Sequence, residues 1–270
     1  RFRIYDYNDV FYHTLLFNLG DPLFADPELR RAVDLAVDRA DLIGQALHGW
    51  AIETTGPFRP DTWPYNPDVP EAACDPGRAA EILSGLGWKD ADGDLILERK
   101  GEELAFTILA DEGDLLKEAA ARRIKWQLFR IGIRAEVELI PPQELFEERL
   151  YPGEFQAVLL QFNAGVDPDK FITFFWHSGS IGSSNLGAYA NSEVDRLIEM
   201  GRISPDFEER KSLYRRIHAL VARDRPALFL YVRKVLFAAS ARLQGINAAP
   251  ELLYQSVRDW YIDPSLKERR

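Results

Sequence analysis

A nearly continuous apolar run from Phe155 to Phe162 is the feature that most constrains the fold of this chain. A strand with one face in water alternates apolar and polar residues, whereas a strand covered on both faces is apolar throughout. The run therefore predicts a central strand with helices packed on each side of its sheet.

Candidate helices and strands alternate along the rest of the chain. Asp26, followed by Pro27 and Glu28, combines an N-cap residue, a first-turn proline and an acidic first turn. By such signals and by apolar spacing, helices are predicted after Asp26, Asp38, Asp75, Asp114 and Pro141, and over 169–176, 192–202 and 206–224. Strands are predicted at 12–18, 133–139 and 227–231, with 95–97 and 104–109 as a hairpin. This alternation predicts an α/β fold with a mixed sheet.

The charge and the single cysteine exclude several classes of protein. The net charge is -10 and the isoelectric point is near 5.0, which argues against a nucleic-acid or anionic-membrane surface. Cys74 alone cannot form an intramolecular disulfide or a cysteine-based metal site. No apolar run reaches the roughly 18 residues of a membrane span. We therefore expect a folded, acidic domain without nucleic-acid partners.

The sequence lacks common enzyme motifs, and two segments that resemble functional sites are better explained by structural roles. The sequence contains no Walker loop, no Gly-x-Gly-x-x-Gly and no His-Glu-x-x-His. The segment Asp90–Asp94 resembles the start of a calcium loop, but its pattern favours a hairpin turn. His177 and Ser178 near Asp167 and Asp169 suggest hydrolase parts, yet a loop with capping residues is favoured. We expect no catalytic residue, no metal and no cofactor.

Two segments are the best candidates for ligand contacts. Gln161–Pro168 follows the central strand directly, and ligands of α/β sheets bind beyond the carboxyl ends of strands. For Asp167 a helix-capping role is favoured. For Phe162 and Asn163, packing in the core and contact with a ligand are equally favoured. The loop between Trp176 and Tyr189 is rich in Gly, Ser and Asn, as in a flexible linker or an adaptable cleft rim. The predicted ligand-binding residues are Gln161, Phe162, Asn163, Trp176, Asn185 and Tyr189.

Together these stretches resemble the family 5 extracellular solute-binding proteins, the peptide- and nickel-binding components of ABC transporters. The matching stretches run in order from Leu16 to Pro226 and cover nearly the whole chain. They are Leu16–Asn18, Asp26–Val33, Ala36–Arg39, Thr55–Pro57, Asp75–Leu83, Ile131–Ile133, Asp167–Asp169, Asn185 with Tyr189, Asn191–Asp195, Glu209–Tyr214 and Asp224–Pro226. The resemblance implies a periplasmic-binding-protein-like type II lobe with a mixed sheet and flanking helices.

Family members have two lobes that enclose the ligand, and this chain resembles the C-terminal half. The resemblance divides it into a hinge-crossing strand at 1–18, a second ligand-binding lobe at 19–225, and a returning hinge strand with a remnant of the first lobe at 226–270. Since the chain begins at Arg1 without a Met, we expect an excised fragment. The implied whole protein is a monomer that closes around its ligand and passes it to a membrane permease. It would be periplasmic or extracellular, and a lipoprotein tether is compatible with the family.

One position departs from the peptide-binding pattern of the family. Peptide-binding members carry Trp-x-x-Asp at the position of Phe162–Gly165, and the Asp pairs with the amino terminus of the peptide. Gly165 stands in that place here. Peptides, nickel chelates and oligosaccharides all remain open as the solute. The alternative function is the ligand-sensing domain of a transcriptional regulator, which an upstream helix-turn-helix would favour.

Phe162 lies at the carboxyl end of the predicted central strand. We expect Phe162→Ala in the whole protein to abolish specific solute binding, because the aromatic surface would be lost at the end of the central strand. Titration calorimetry would measure the affinity, and an unchanged affinity would remove Phe162 from the site.

Overall fold

The computed structural model describes residues 2–165, 167–248 and 255–263, and its main feature is a six-stranded mixed sheet. The order of the strands is β2-β8-β1-β7-β5-β6. These strands are β1 (Phe2–Phe17), β2 (Ala51–Glu53), β5 (Ala105–Asp111), β6 (Arg134–Ile140), β7 (Ala157–Asn163) and β8 (Ala227–Ser240). β1 pairs antiparallel with β7 and β8, whereas β5 pairs parallel with β6 and β7. The predicted α/β class with a mixed sheet is confirmed.

Helices cover the sheet, and most of them begin at the predicted capping residues. The helices are α1 (Pro27–Ala36), α2 (Arg39–Ala46), α3 (Pro76–Gly85), α4 (Leu115–Phe129), α5 (Pro142–Glu144), α6 (Asp169–Trp176), α7 (Ser192–Ile203) and α8 (Phe207–Asp224). A π-helical turn follows α5 at Leu145–Leu150. The side chains of Asp26, Asp38, Asp75 and Asp114 each accept a hydrogen bond from a first-turn N–H. Satisfying such N–H groups is what favours a helix start at an Asp.

The hydrophobic core lies on both faces of the sheet. Leu15 of β1 and Leu159 of β7 pack on one face, together with α1 to α4. Leu16 and Leu160 pack on the other face, with residues of α6 to α8. The prediction that the run ending at Phe162 is covered on both faces is therefore confirmed.

Of the predicted hairpin of 95–97 with 104–109, the second stretch does form a strand, whereas a strand at 95–97 is wrong. The observed hairpin is smaller and pairs β3 (Glu98–Arg99) with β4 (Glu102–Glu103). The apolar stretch after Leu104 instead forms β5 between β6 and β7, where both of its faces are buried. A strand that is buried on both faces is apolar whether or not it belongs to a hairpin, so its composition does not reveal which strand it pairs with.

β1 and β8 extend well beyond the strands predicted at 12–18 and 227–231. Their outer parts, Phe2–Asn8 and Lys234–Ser240, pair with each other as a two-stranded ribbon beyond the body of the sheet. Phe2, Ile4 and Leu236 on this ribbon are exposed. Two short strands follow, β9 (Leu243–Gln244) and β10 (Tyr261–Ile262), with a 3-10 turn at Gln255–Asp259. The predicted segment 226–270 includes 249–254 and 264–270, which lie outside the described residues.

A buried ionic cluster fixes the base of β8. Asp34 of α1 binds Arg39 at 2.6 Å and Arg225 at 2.8 Å. Arg39 also donates to the carbonyl of Phe229 in β8 at 2.7 Å. Burial alone would raise the pKa of Asp34, but its two arginine partners outweigh burial and hold the pKa below its usual range.

We predict that Asp34→Asn lowers the free energy of unfolding by about 3 kcal/mol at pH 7, because it leaves the buried guanidinium group of Arg39 without a carboxylate. The wild-type protein should also lose stability as the pH falls through the acid range. An Asp with a depressed folded pKa stabilises above its unfolded pKa, and that contribution disappears as the pH drops through the folded pKa.

Urea unfolding at several pH values measures both effects. Asp92→Asn, in the exposed Asp90–Asp94 turn, is the control and should match the wild type. An Asp34→Asn protein as stable as wild type, with the same acid dependence, would contradict the assigned role of the cluster.

Candidate functional site

The carboxyl end of β7 meets the base of the β1–β8 ribbon. Asn163 pairs with Phe11, and the N–H of Ala164 donates to the carbonyl of Val10 at 3.0 Å. We call the segments Asp9–Phe11, Asn163–Gly165 and Val232–Lys234 the hinge edge. It is the edge at which ligands of α/β sheets bind, since it lies beyond the carboxyl end of β7.

Two of the predicted ligand-binding residues have accessible side chains at or next to this edge. Gln161 is exposed and Asn163 is half-buried. The side-chain oxygen of Asn163 accepts a hydrogen bond from the N–H of Gly165 at 2.7 Å, so the amide is oriented by its own loop. The Asn163 amide also carries an amino group, which can donate hydrogen bonds.

The other four predicted ligand-binding residues lie in the core. Each has 4% or less of its surface exposed: Phe162, Trp176, Asn185 and Tyr189. Side chains this deeply buried offer almost no surface to a solute in this structure. Their hydrogen bonds give each of the polar ones a structural partner.

These partners explain the burial. Trp176 Nε1 donates to the hydroxyl of Tyr12 at 3.0 Å. The Asn185 amide donates to the carbonyls of His177 and Tyr189 and accepts from the Tyr189 N–H, which closes the loop. The Tyr189 hydroxyl donates to Asp224 Oδ2 at 2.7 Å. The aromatic residues that flank this loop therefore hold it against the core.

A polar cluster that was not predicted lies behind the hinge edge. His13 pairs with Gln161 in β7, and its ring stacks on Tyr231 of β8 with centroids 4.7 Å apart. Burial, reinforced by the charges of Arg233 and Lys117, lowers the pKa of His13 well below its usual range, so the ring is neutral. A histidine inside an otherwise apolar strand was the available sequence signal for this cluster.

Two ion pairs complete the cluster and fix the start of α4. Arg233 binds Asp114 at 2.5 Å, which ties β8 to the capping residue of α4. Lys117 pairs with Asp111 at the end of β5. The carboxylates of Asp111 and Asp114 are thus already paired with neighbouring cations.

A second feature missed by the sequence analysis is a group of aromatic rings on α6. Phe175 lies 4.7 Å from Phe162 between ring centroids and stacks on Phe171 at 6.1 Å. Phe174 is 44% exposed, and Phe171 and Phe175 are half-buried. The signal was the density of Phe over 171–175, which apolar spacing alone assigns to the core.

The acidic turn is the one metal-ligand group found among the described residues. The carboxylate oxygens of Asp90, Asp92, Asp94 and Glu98 lie within 4.8 Å of one another. Asp90 accepts hydrogen bonds from Gly93 and Leu95, as expected for the predicted turn. The side chains are exposed apart from the half-buried Glu98; Glu98 is on β3, and the three aspartates lie in the turn that precedes it.

His177 and Ser178 do not form a nucleophile and base pair. The Ser178 hydroxyl donates to Asp195, and His177 Nδ1 accepts from the N–H of Gly179 at 2.9 Å. The Asp167 carboxylate accepts from the N–H of Asp169 and so assists the start of α6. These residues shape the loop and the helix ends, as the capping interpretation predicted.

No helix in residues 2–165, 167–248 and 255–263 combines the length and the apolar character that crossing a membrane requires.

Comparison with known proteins places these features in a family. The sequence profile described as "Bacterial extracellular solute-binding proteins, family 5 Middle" matches residues 2–183, more than half of the chain. The oligopeptide-binding protein AppA of Bacillus subtilis is 28% identical over 250 residues, which are 91% of this chain and 46% of AppA. Protein XP55 of Streptomyces lividans is 30% identical over 253 residues, which are 93% of this chain and 45% of XP55.

Solved structures show the same fold. The structure of AppA from Bacillus subtilis in complex with a nonapeptide superposes with a TM-score of 0.84 at 27% identity, covering 97% of this chain and 52% of AppA. NikZ from Campylobacter jejuni in complex with Ni(L-His) gives a TM-score of 0.83 at 24% identity, covering 96% and 53%. The chain thus spans about half the length of the relatives it matches, and it belongs to the family 5 bacterial extracellular solute-binding proteins.

Proposed function

We propose that this chain is one ligand-binding lobe of the substrate-binding component of an ABC transporter, which captures a peptide or a related small solute. The observation that carries the proposal is the paired departure of β1 and β8 from the lobe at the hinge edge. Two strands that leave side by side next to a ligand-binding edge form a hinge about which a second lobe can close.

The same arrangement supports a division of the chain into three parts. Residues 1–18 are the first hinge strand, 19–225 the ligand-binding lobe, and 226–270 the returning strand with a remnant of the other lobe. The exposed Phe2, Ile4 and Leu236 on the ribbon favour this division, because apolar side chains on a projecting ribbon need a covering surface. That surface would be the other lobe.

The charges near the hinge edge bear on how a peptide would be held. AppA is named for oligopeptides, and a 25% identical relative in Haemophilus influenzae is named heme-binding protein A. In this chain Gly165 has no carboxylate, and Asp111 and Asp114 are occupied by Lys117 and Arg233. A buried solute ammonium needs a carboxylate partner. The amino terminus of a bound peptide would therefore lie away from Gly165, Asp111 and Asp114.

The lobe would bind its solute without catalysing a reaction. Gln161 and Asn163 offer amide groups at and beside the edge, and Ser178 and His177 have structural partners. In the whole protein we expect a monomer outside the cytoplasm, with or without a lipid tether, that delivers its solute to a permease and binds no nucleic acid. The regulator alternative gains no support from AppA or heme-binding protein A, which are named as binding proteins.

Native mass spectrometry of the whole protein, purified from its host, tests the proposal. A small molecule that leaves on denaturation is the expected result and identifies the solute class. Consistent absence of any bound solute, together with a helix-turn-helix encoded upstream, would overturn transport in favour of sensing.

Gln161 provides a sharper test of the edge than Phe162. We predict that Gln161→Ala weakens solute binding about fivefold without loss of stability, because an exposed amide contributes about one hydrogen bond. Phe162→Ala should instead cost about 3 kcal/mol of stability, since it empties a buried site. In the Phe162→Ala variant, a loss of binding would therefore come together with a loss of stability.

Titration calorimetry and urea unfolding measure the two properties separately. Gln156→Ala is the matched control, because Gln156 lies before the amino end of β7 and accepts from the Thr107 N–H. Equal affinities of the Gln161→Ala and Gln156→Ala proteins would exclude Gln161 from the site.

A further inference from the structure

Helix α6 presents aromatic side chains where a surface helix normally presents polar ones. Ile172 and Trp176 form its buried face. Phe174 lies outside that face and is 44% exposed, while Phe175 bridges it to the core through Phe162. Aromatic rings that pack against one another and the core have few free rotatable bonds, so they can bind a partner at a low ordering cost.

The aromatic group reaches the hinge edge through Phe171. A β-carbon built on Gly165 would lie 2.7 Å from a ring carbon of Phe171, so the ring occupies the space of a side chain at that position. Gly165 also has a φ of +65°, which favours glycine. The Phe171 ring is therefore part of the surface that the end of β7 presents.

Lys170 places a cation over the same rings. Its ammonium nitrogen lies 5.6 Å from the centroid of Phe171 and 5.8 Å from that of Phe174. The neighbouring carboxylates are bound elsewhere, Asp167 by Arg210 at 3.1 Å and Asp169 by Arg202 at 3.5 Å. Lys170 thus keeps its charge available while its aliphatic part lies near the aromatic group.

We propose that Lys170, Phe171 and Phe174 form a subsite for a solute that carries an aromatic or flat apolar group beside a carboxylate. The rings supply the apolar contact, and the ammonium pairs with the carboxylate. The inference rests on the proposed function, because it places this subsite in the cleft that a second lobe would close. It extends that function by stating which solutes are preferred.

Four pentapeptides separate the two contacts. They are tetra-alanyl-phenylalanine and penta-alanine, each as the free acid and as the C-terminal amide. With the whole protein, we expect the Phe-containing acid to bind best, about fivefold over the alanine acid and about threefold over its own amide. Titration calorimetry measures all four affinities.

Variants assign each preference to a side chain. Phe174→Ala should remove the preference for Phe, and Lys170→Gln should remove the preference for the acid over the amide. The controls are Phe129→Ala, where a Phe on α4 is 47% exposed, and Lys89→Gln near the β3–β4 hairpin, both of which should bind like wild type.

Equal affinity for the four peptides, or no binding of any, would overturn the subsite. So would Phe174→Ala and Lys170→Gln proteins that keep the wild-type preferences. The proposed function is decided separately, because a co-purified solute in the mass spectrum supports it whatever these peptides do.

Discussion

Strand β1 exchanges hydrogen bonds with β7 on one side and with β8 on the other, and this double pairing joins three distant parts of the sequence. Leu16 pairs with both Val158 and Ala227. Closing such long loops costs chain entropy that only the completed, buried sheet can offset. The outer half of β1 continues directly into the ribbon. The proposed hinge is therefore an extension of a strand whose inner half is buried, and a change in ribbon direction would act first on Val10, whose carbonyl accepts a hydrogen bond from Ala164.

The Asp34 cluster explains why bending would be confined to the ribbon. Arg225 and Arg39, both bound to Asp34, hold the start of β8 through the α8–β8 turn and the carbonyl of Phe229. Arg30 adds hydrogen bonds to the carbonyls of Asp224 and Arg225. Breaking a buried ionic contact of this kind costs several kcal/mol, so under the proposed function the lobe would move as one body. The ladder between β1 and β8 is irregular between Asn8 and Tyr12, beside the hinge edge, which is the place where rotation costs least.

Signals within short segments of sequence were sufficient to predict most of the helices and strands. The candidate binding site depends on contacts between distant residues, which no short segment reveals. Each capping Asp lies within three residues of the N–H group that it binds, so the start of a helix can be predicted from a short segment. The outer half of β1 was missed, because the pairing of Phe2–Asn8 depends on residues more than 220 positions later. Trp176 and Tyr189 flank a loop of small polar residues, which matches a cleft rim. Only the bonds to Tyr12 and Asp224 reveal that both are structural.

The charges near the ligand-binding edge then limit what the lobe can recognise. The chain carries a net charge of -10, yet several of its carboxylates in this region are bound by cations from neighbouring elements, as in Asp114 with Arg233 and Asp167 with Arg210. A carboxylate that is already paired gains little from a second cation, because it would share its Coulomb energy and lose hydration. Lys170 differs, because its near neighbours are aromatic rings and the adjacent acids are occupied. An acidic protein can in this way present a locally cationic, apolar surface to its solute.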